Sequence, residues 1–258
     1  MSDRMNDSWI REAERPFVRR AEDWAARVDA RGSWVLTDFL SPREQMLALS
    51  VGRREGLFAA GWGGYEGAER QRMLLMPGDW QPQHADFQVA ALVLEAQEPL
   101  AHGAVLGSLL GTGVDRRKVG DIAVLGAKAY VAVCRDLVPH LQAELRQVGR
   151  SSVSLTPVNE ALAWPPTVYE PVVISVASLR LDTVVAQACH WSRGRAQAAV
   201  EAGQVSLNHT PCEHPDEVVQ PGDTLSVRGF GRIRILQRLG TSKKERERLE
   251  VGVLRSRT

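Results

Sequence analysis

The run Ser192-Arg193-Gly194-Arg195-Ala196 places two arginines directly behind a serine. Serine is a strong helix N-cap, so the run opens a helix that reaches Gly203. Arginine in a first helical turn opposes the helix dipole and needs another reason to be there. An anion at the terminus would supply one, because free backbone N–H groups and guanidinium forks both suit phosphate oxygens. Further on, Leu225, Val227, Ile233, Ile235 and Leu239 keep to odd positions, and Arg228, Arg232, Arg234 and Arg238 to even ones. A strand has a side-chain period of two, so this pattern predicts one core face and one arginine row, provided the register survives Gly229-Phe230-Gly231. Lys243 and Lys244 would lie in a basic loop behind it, before a closing strand over 249–253. The candidate anion contacts are therefore Arg180, Ser192, Arg193, Arg195, Gln197, Arg228, Arg232, Arg234, Lys243 and Lys244. Asn208 and His209, at the end of a short strand, are candidates for contacts beside them. Asp182 reads as a helix cap rather than a contact.

Charge supports a local anionic partner. The 258 residues carry a net charge of only +1, but 175–258 hold 13 Lys/Arg against 9 Asp/Glu, and 1–174 hold 19 against 22. Between Arg228 and Arg248 there are eight basic residues and two acidic ones. A basic segment on a near-neutral chain points to one binding region rather than general adhesion to polyanions. A second basic run, Arg116-Arg117-Lys118 between Asp115 and Asp121, is a possible second contact; the two aspartates read as turn residues and caps rather than a catalytic pair.

Other chemistries find little support. Cys134, Cys189 and Cys212 are far apart and form no CxxC pair, which argues against a zinc site or a disulfide framework. The six histidines show no helix-spaced metal pair, and His209 and His214 straddle Pro211. No GxxxxGK[ST] phosphate loop is present. The reading expects no catalytic residue, no metal and no cofactor. Met1 to Asp7 lack an apolar leader, and no run of 18 apolar residues occurs, so a cytoplasmic protein without a membrane partner is expected.

Three groups of elements must position these residues, giving an α+β chain. Residues 1–75 read as a mainly helical domain. One helix follows Pro16, and a second starts at Ser41-Pro42-Arg43-Glu44, which has an N-cap, a first-turn proline and the glutamate of a capping box. Gly61-Trp62-Gly63-Gly64-Tyr65 reads as a tight turn. Residues 76–165 read as a ferredoxin-like (RRM-like) βαββαβ domain, with strands over 87–95, 121–125, 130–134 and 152–157 and helices over 103–111 and 136–148. It lacks the aromatic strand signature that stacks bases in typical RNA-recognition motifs. The proline-marked segment 159–170 reads as a hinge. Residues 172–258 read as a strand, two helices and a basic sheet.

Arg180-Leu181-Asp182, Ser192-Arg193 with Ala196, Gly203-x-Val205 with Leu207-Asn208, Gly222-Asp223 and Ser226-Val227-Arg228-Gly229 closely resemble the S4 RNA-binding domain. The rest of the chain resembles the bacterial YlmH family, through Phe39-Leu40-Ser41-Pro42-Arg43-Glu44-Gln45, Gly63-Gly64-Tyr65 with Ala68-Glu69-Arg70, and Leu106-Gly107-Ser108-Leu109-Leu110-Gly111 running to Val119-Gly120-Asp121-Ile122. One departure is His102-Gly103-Ala104, where the family has a basic-acidic pair after the histidine. The resemblance implies an N-terminal domain, a central domain related to RNA-recognition motifs and a C-terminal S4-type αα-plus-β domain. It also implies non-catalytic binding of structured RNA (rRNA and tRNA) on the large ribosomal subunit, in rescue or quality control of stalled subunits. On this reading the protein is a monomer, with no DNA partner. Asn208 and His209 would meet sugar or base edges.

Two alternatives stand beside it. One is an RNA-modifying enzyme of the pseudouridine synthase or methyltransferase type that docks through its S4 domain. A synthase would place that domain first, and a methyltransferase would need a glycine loop directly after a strand in a βαβ unit. The other is a protein-interaction adaptor that presents Trp9, Trp24, Trp34 and Trp62 to a partner.

Overall fold

A computed structural model describes residues 10–78, 80–158, 164–241 and 245–255. The chain forms two compact units, 1–165 and 166–258.

The first unit opens with α1 (Arg15–Arg31), β1 (Val35–Leu40), α2 (Pro42–Arg54), β2 (Phe58–Trp62) and β3 (Gln71–Met76). Ser41 caps α2 as the sequence predicts: its hydroxyl accepts from the Glu44 N–H, and the Glu44 carboxylate accepts from the Ser41 N–H at 2.8 Å. The helices do not stand alone. The three strands form an antiparallel sheet in the order β1-β3-β2, with α1 and α2 packed on one face through Val18, Ala21, Val28, Leu47, Val51, Met73 and Leu75. Gly61 and Trp62 lie within β2, not in a turn, because Gly61 pairs with Met73 and Trp62 with Arg72; only the chain from Gly63 onward leaves the strand.

The remainder of this unit comprises β4 (Val89–Glu95), α3 (His102–Gly111), β5 (Val119–Leu125), β6 (Lys128–Cys134), α4 (Val138–Glu144), β7 (Gln147–Val148), β8 (Ser151–Ser152) and β9 (Ser154–Val158). Four of these strands form an antiparallel sheet ordered β5-β6-β4-β9, the ferredoxin-like arrangement read from the sequence. The second helix is shorter than expected: it ends at Glu144, and the β7–β8 hairpin occupies the rest of the stretch. The other face of the N-terminal sheet shares a hydrophobic cluster with the central one, formed by Phe39, Leu74, Met76, Phe87, Val89, Ala132 and Cys134. Gly120 permits that contact, since a Cβ there would stand 2.6 Å from the Phe39 ring.

The second unit contains β10 (Glu170–Val176), α5 (Leu181–Cys189), α6 (Arg193–Glu201), β11 (Val205–Leu207), β12 (Thr210–Pro211), β13 (Thr224–Val227), β14 (Gly231–Thr241) and β15 (Glu247–Arg255). One antiparallel sheet, ordered β10-β15-β14-β13-β11-β12, closes over the two helices. Its core is Ile174, Val184, Val185, Ala196, Val200, Leu225, Val227, Ile233, Ile235, Val251 and their neighbours. The register survives the glycine bend, with Val227 paired to Gly231 and Leu225 to Ile233. It breaks later. Irregularities fall between Ile235 and Gln237 and between Arg238 and Gly240, and from Leu236 to Thr241 the strand is exposed on both faces, so Leu239, expected in the core, is 41% exposed.

Among the described residues no helix is long and apolar enough to cross a membrane.

Candidate nucleic-acid interface

The two helices of the second unit present their first turns to a common point. Arg180 is the N-cap of α5 and Arg193 the first residue of α6, and both reach the Asp182 carboxylate. The Arg180 Nε lies 3.1 Å from Oδ1 and its Nη2 3.3 Å from Oδ2; the Arg193 Nε lies 3.6 Å from Oδ2. The Thr183 N–H and hydroxyl also donate to Oδ1, at 2.8 and 3.1 Å. Asp182 itself is only 1% exposed, whereas the Arg193 side chain is 67% exposed. Burial works against the Asp182 charge, but the hydrogen bonds from Arg180 and Thr183 outweigh it and hold its pKa below the usual carboxylate value. Asp182 is thus not the cap that the sequence suggested. It stands inside the first turn, while the Leu181 and Asp182 N–H groups donate to the carbonyls of Glu217 and Pro215.

Ser192 caps α6, accepting from the Arg195 N–H at 3.3 Å. The Arg195 guanidinium carbon lies 4.0 Å from the centre of the Trp191 ring, a cation–π geometry that keeps one face of the guanidinium covered. The unfavourable first-turn arginines therefore have partners inside the protein, Asp182 for one and Trp191 for the other. Both side chains nevertheless remain on the surface. Gln197 faces Glu201, one turn along α6, at 2.8 Å.

Asn208 and His209 are the central residues of the β11–β12 hairpin, with φ of 49° and 65°. Positive φ at both positions is the mark of a type I′ turn, and asparagine tolerates it well. The Asn208 amide is used at both ends, donating to Asp223 at 2.8 Å and accepting from the Thr224 N–H at 2.9 Å. Its first role is to fasten this turn to β13.

On the sheet, Arg232 pairs laterally with Ser226, and Arg234 with Thr224, on the face opposite Ile233 and Ile235. Arg228 and Arg232, with Gly203, Gln204, Ser206 and Ser226, line an open depression past the C-terminal end of α6. Arg238 does not extend this row: past the irregularity it forms a two-point ion pair with Glu247, at 2.5 and 2.7 Å. Lys243 and Lys244 lie outside the described residues.

The basic triplet of the first unit is arranged differently. Arg116–Lys118 form one 3-10 turn capped by Asp115. Arg116 donates to the Val119 carbonyl, Arg117 makes a two-point pair with Asp115, and Lys118 lies 3.1 Å from Asp136. Nearby, Asp121 accepts from the Tyr65 hydroxyl at 2.8 Å and from the Glu69 and Arg70 N–H groups at 2.7 and 3.1 Å. Asp115 and Asp121 are thus a cap and a loop anchor. Tyr65 in turn stacks on Trp164 at 4.1 Å, so this end of the expected hinge is packed; residues 159–163 lie outside the described set. All three cysteines are buried, and burial pushes the thiols of Cys134 and Cys189 up to about 11 and about 12.

Sequence reasoning missed the junction at Asp182 and the Trp191 platform. A signal was present for each: an aspartate two residues behind an arginine at a helix start, and a tryptophan directly before the Ser192 cap.

Three family models match. Residues 13–80 match "YlmH, N-terminal", residues 82–161 match "Putative RNA-binding domain in YlmH", and residues 179–225 match "S4 domain". The "Ribosome-associated protein quality control protein P2" of Bacillus subtilis (strain 168) is 35% identical over 244 residues, covering 93% of this chain and 95% of the relative. A solved structure, "Cell division protein ylmH from Streptococcus pneumoniae", superposes with a TM-score of 0.55 at 25% identity, covering 58% of this chain and 93% of that one.

Proposed function

Because the chain belongs to the YlmH family, we propose that it binds structured RNA without catalysing a reaction, on the large ribosomal subunit, and acts in rescue or quality control of stalled subunits. The observation that carries this reading is the surface where α5 and α6 begin. Arg180 and Arg193 each engage Asp182 there through part of the guanidinium group, and the Arg195 guanidinium rests on the Trp191 ring, so all three are positioned without being fully used. Such an arrangement suits the phosphates of a folded RNA, because guanidinium forks match phosphate oxygens and little side-chain entropy remains to be lost. Arg228, Arg232 and Arg234 extend the contact over the sheet, with Lys243 and Lys244 as further contacts. The name of the Bacillus relative, ribosome-associated and in protein quality control, supports the same setting. We assign ribosomal RNA and tRNA as the ligands, a monomeric protein in the cytoplasm, and three modules at 1–75, 76–165 and 172–258.

Crosslinking in cells followed by sequencing of the bound RNA tests the reading. Large-subunit ribosomal RNA and tRNA should be enriched; recovery of neither refutes it. In vitro, if about five phosphates are neutralised, log affinity should fall with log salt at a slope of roughly −3 to −5. A flat response removes the phosphate clamp.

A further inference from the structure

We infer that Asp182 is a positioning residue for RNA binding: its buried carboxylate pre-sets Arg180 and Arg193 as one phosphate-binding pair. This rests on the RNA-binding role proposed above. Three observations carry it. First, the carboxylate is almost fully covered although Arg193 is exposed and Arg180 partly so, and it therefore acts from beneath the surface they form. Second, it joins two elements: Arg180 belongs to the start of α5 and Arg193 to the start of α6, and Asp182 is the group that both reach. Third, its own orientation is fixed by the Thr183 N–H and hydroxyl. Among the described residues neither arginine has a second carboxylate in ion-pair contact, although Asp216 lies close enough to add to the field on Arg180. Arg180 spends its Nε and Nη2 on Asp182 and Arg193 its Nε, which leaves Nη donors of both for a ligand.

The sign of the effect separates this role from simple electrostatics. A negative charge beside a polyanion site weakens binding by Coulomb's law, so its removal alone should tighten binding. If Asp182 positions the arginines, its removal should weaken binding, because two long side chains must then be ordered by the RNA itself.

The experiment uses the full-length chain and a fluorescently labelled RNA stem-loop, with thermal melting measured in parallel. Asp182→Asn keeps the size and can still accept from Thr183. It should lower affinity about tenfold, the order that immobilising two rotamer-rich side chains costs. In an Arg180→Ala/Arg193→Ala background the same substitution should change affinity by less than about twofold, since a group acting through absent partners has nothing to act on. Equal losses in both backgrounds, or tighter binding by Asp182→Asn, overturn the inference and leave the RNA-binding reading intact. No binding by the unaltered chain overturns both. Should Asp182→Asn lack a cooperative melting transition, Thr183→Val replaces it in the same cycle. That change removes only the hydroxyl that steadies Oδ1, and a smaller loss that vanishes in the double-alanine background is expected; equal loss in both backgrounds again overturns the inference.

Discussion

Two carboxylates organise the two units of this chain, Asp121 half-buried and Asp182 buried, and their donors differ in kind. Asp121 accepts from a phenol and two backbone N–H groups, all of which belong to the chain segment from Tyr65 to Arg70. Asp182 accepts from Thr183 and from the half-buried Arg180, and forms an ion pair with the exposed Arg193. The first arrangement fastens a loop to a sheet, and every group it satisfies is used up by the fold. The second leaves cationic groups at the surface with donors still free. Desolvation raises the pKa of Asp121, whereas arginine and threonine hydrogen bonds keep that of Asp182 low. The basic residues of the two units follow suit: Arg116, Arg117 and Lys118 have partners within their own unit, while Arg193 is mostly exposed. A count of basic residues therefore measures potential for binding. The geometry of their partners decides how much of it is available.

The largest effect should come from breaking the first arrangement. Asp121→Ala would remove the acceptor shared by the Tyr65 hydroxyl and the Glu69 and Arg70 N–H groups, at about 1–3 kcal/mol for each hydrogen bond broken, so roughly 4 kcal/mol in all after partial rescue by water. Chemical denaturation should show this loss in the first unit, with RNA affinity of the folded fraction unchanged. A destabilisation under about 1 kcal/mol would mean that the loop holds without its anchor. Next in size, Arg193→Ala with Arg195→Ala should cost roughly 3 kcal/mol of RNA affinity, if each charge-assisted hydrogen bond removed is worth about 1.5 or more, while stability changes little. Unaltered affinity would move the site away from the start of α6.

How far the sequence reveals this contrast depends on the range of the interactions. Signals within one helical turn were readable: the Ser41–Glu44 capping box, the Ser192 cap and the alternation from Leu225 to Ile235 all appear in the structure. The order βαββαβ was readable because each element carries its own periodicity. The three-stranded sheet of the N-terminal part was not, since β1 (Val-Leu-Thr-Asp-Phe-Leu) is short and mixed, and its pairing with β3 spans more than thirty residues of sequence. The same limit hid the pairing of Arg238 with Glu247 and of Lys118 with Asp136. The arginine row looked one residue longer than it is because nothing local marks the irregularity after Ile235. Asp182 was read as a cap for a related reason: aspartate near a helix start usually is one, and only the approach of α6 gives it a second task.

A smaller effect tests the helix start itself. Ser192→Ala removes the acceptor for the Arg195 N–H, and loss of such a cap costs about 1 kcal/mol of stability; the 3.3 Å length of the bond places the expected value at or below that figure. Affinity should fall by less than in the double arginine variant, because the side chains of Arg193 and Arg195 keep their own anchors on Asp182 and Trp191. A loss of affinity as large as in the arginine variant would make the serine hydroxyl a direct contact.

The smallest expected effect is the one that most sharpens the comparison. Arg117→Ala removes a full positive charge from a basic run that, by sequence alone, competes with the C-terminal cluster for RNA. Its guanidinium is exposed, but it is paired at two points with Asp115, so the local charge it offers a polyanion is largely cancelled. RNA affinity should stay within about twofold of the unaltered chain, and the slope of log affinity against log salt should not change. At the proposed interface, by comparison, each phosphate that is no longer neutralised should reduce that slope by about 0.7 to 0.9. If Arg117→Ala instead flattens the slope by that amount, Asp115 yields its partner to RNA on binding, and the division between charge spent on the fold and charge held for a ligand fails at this position.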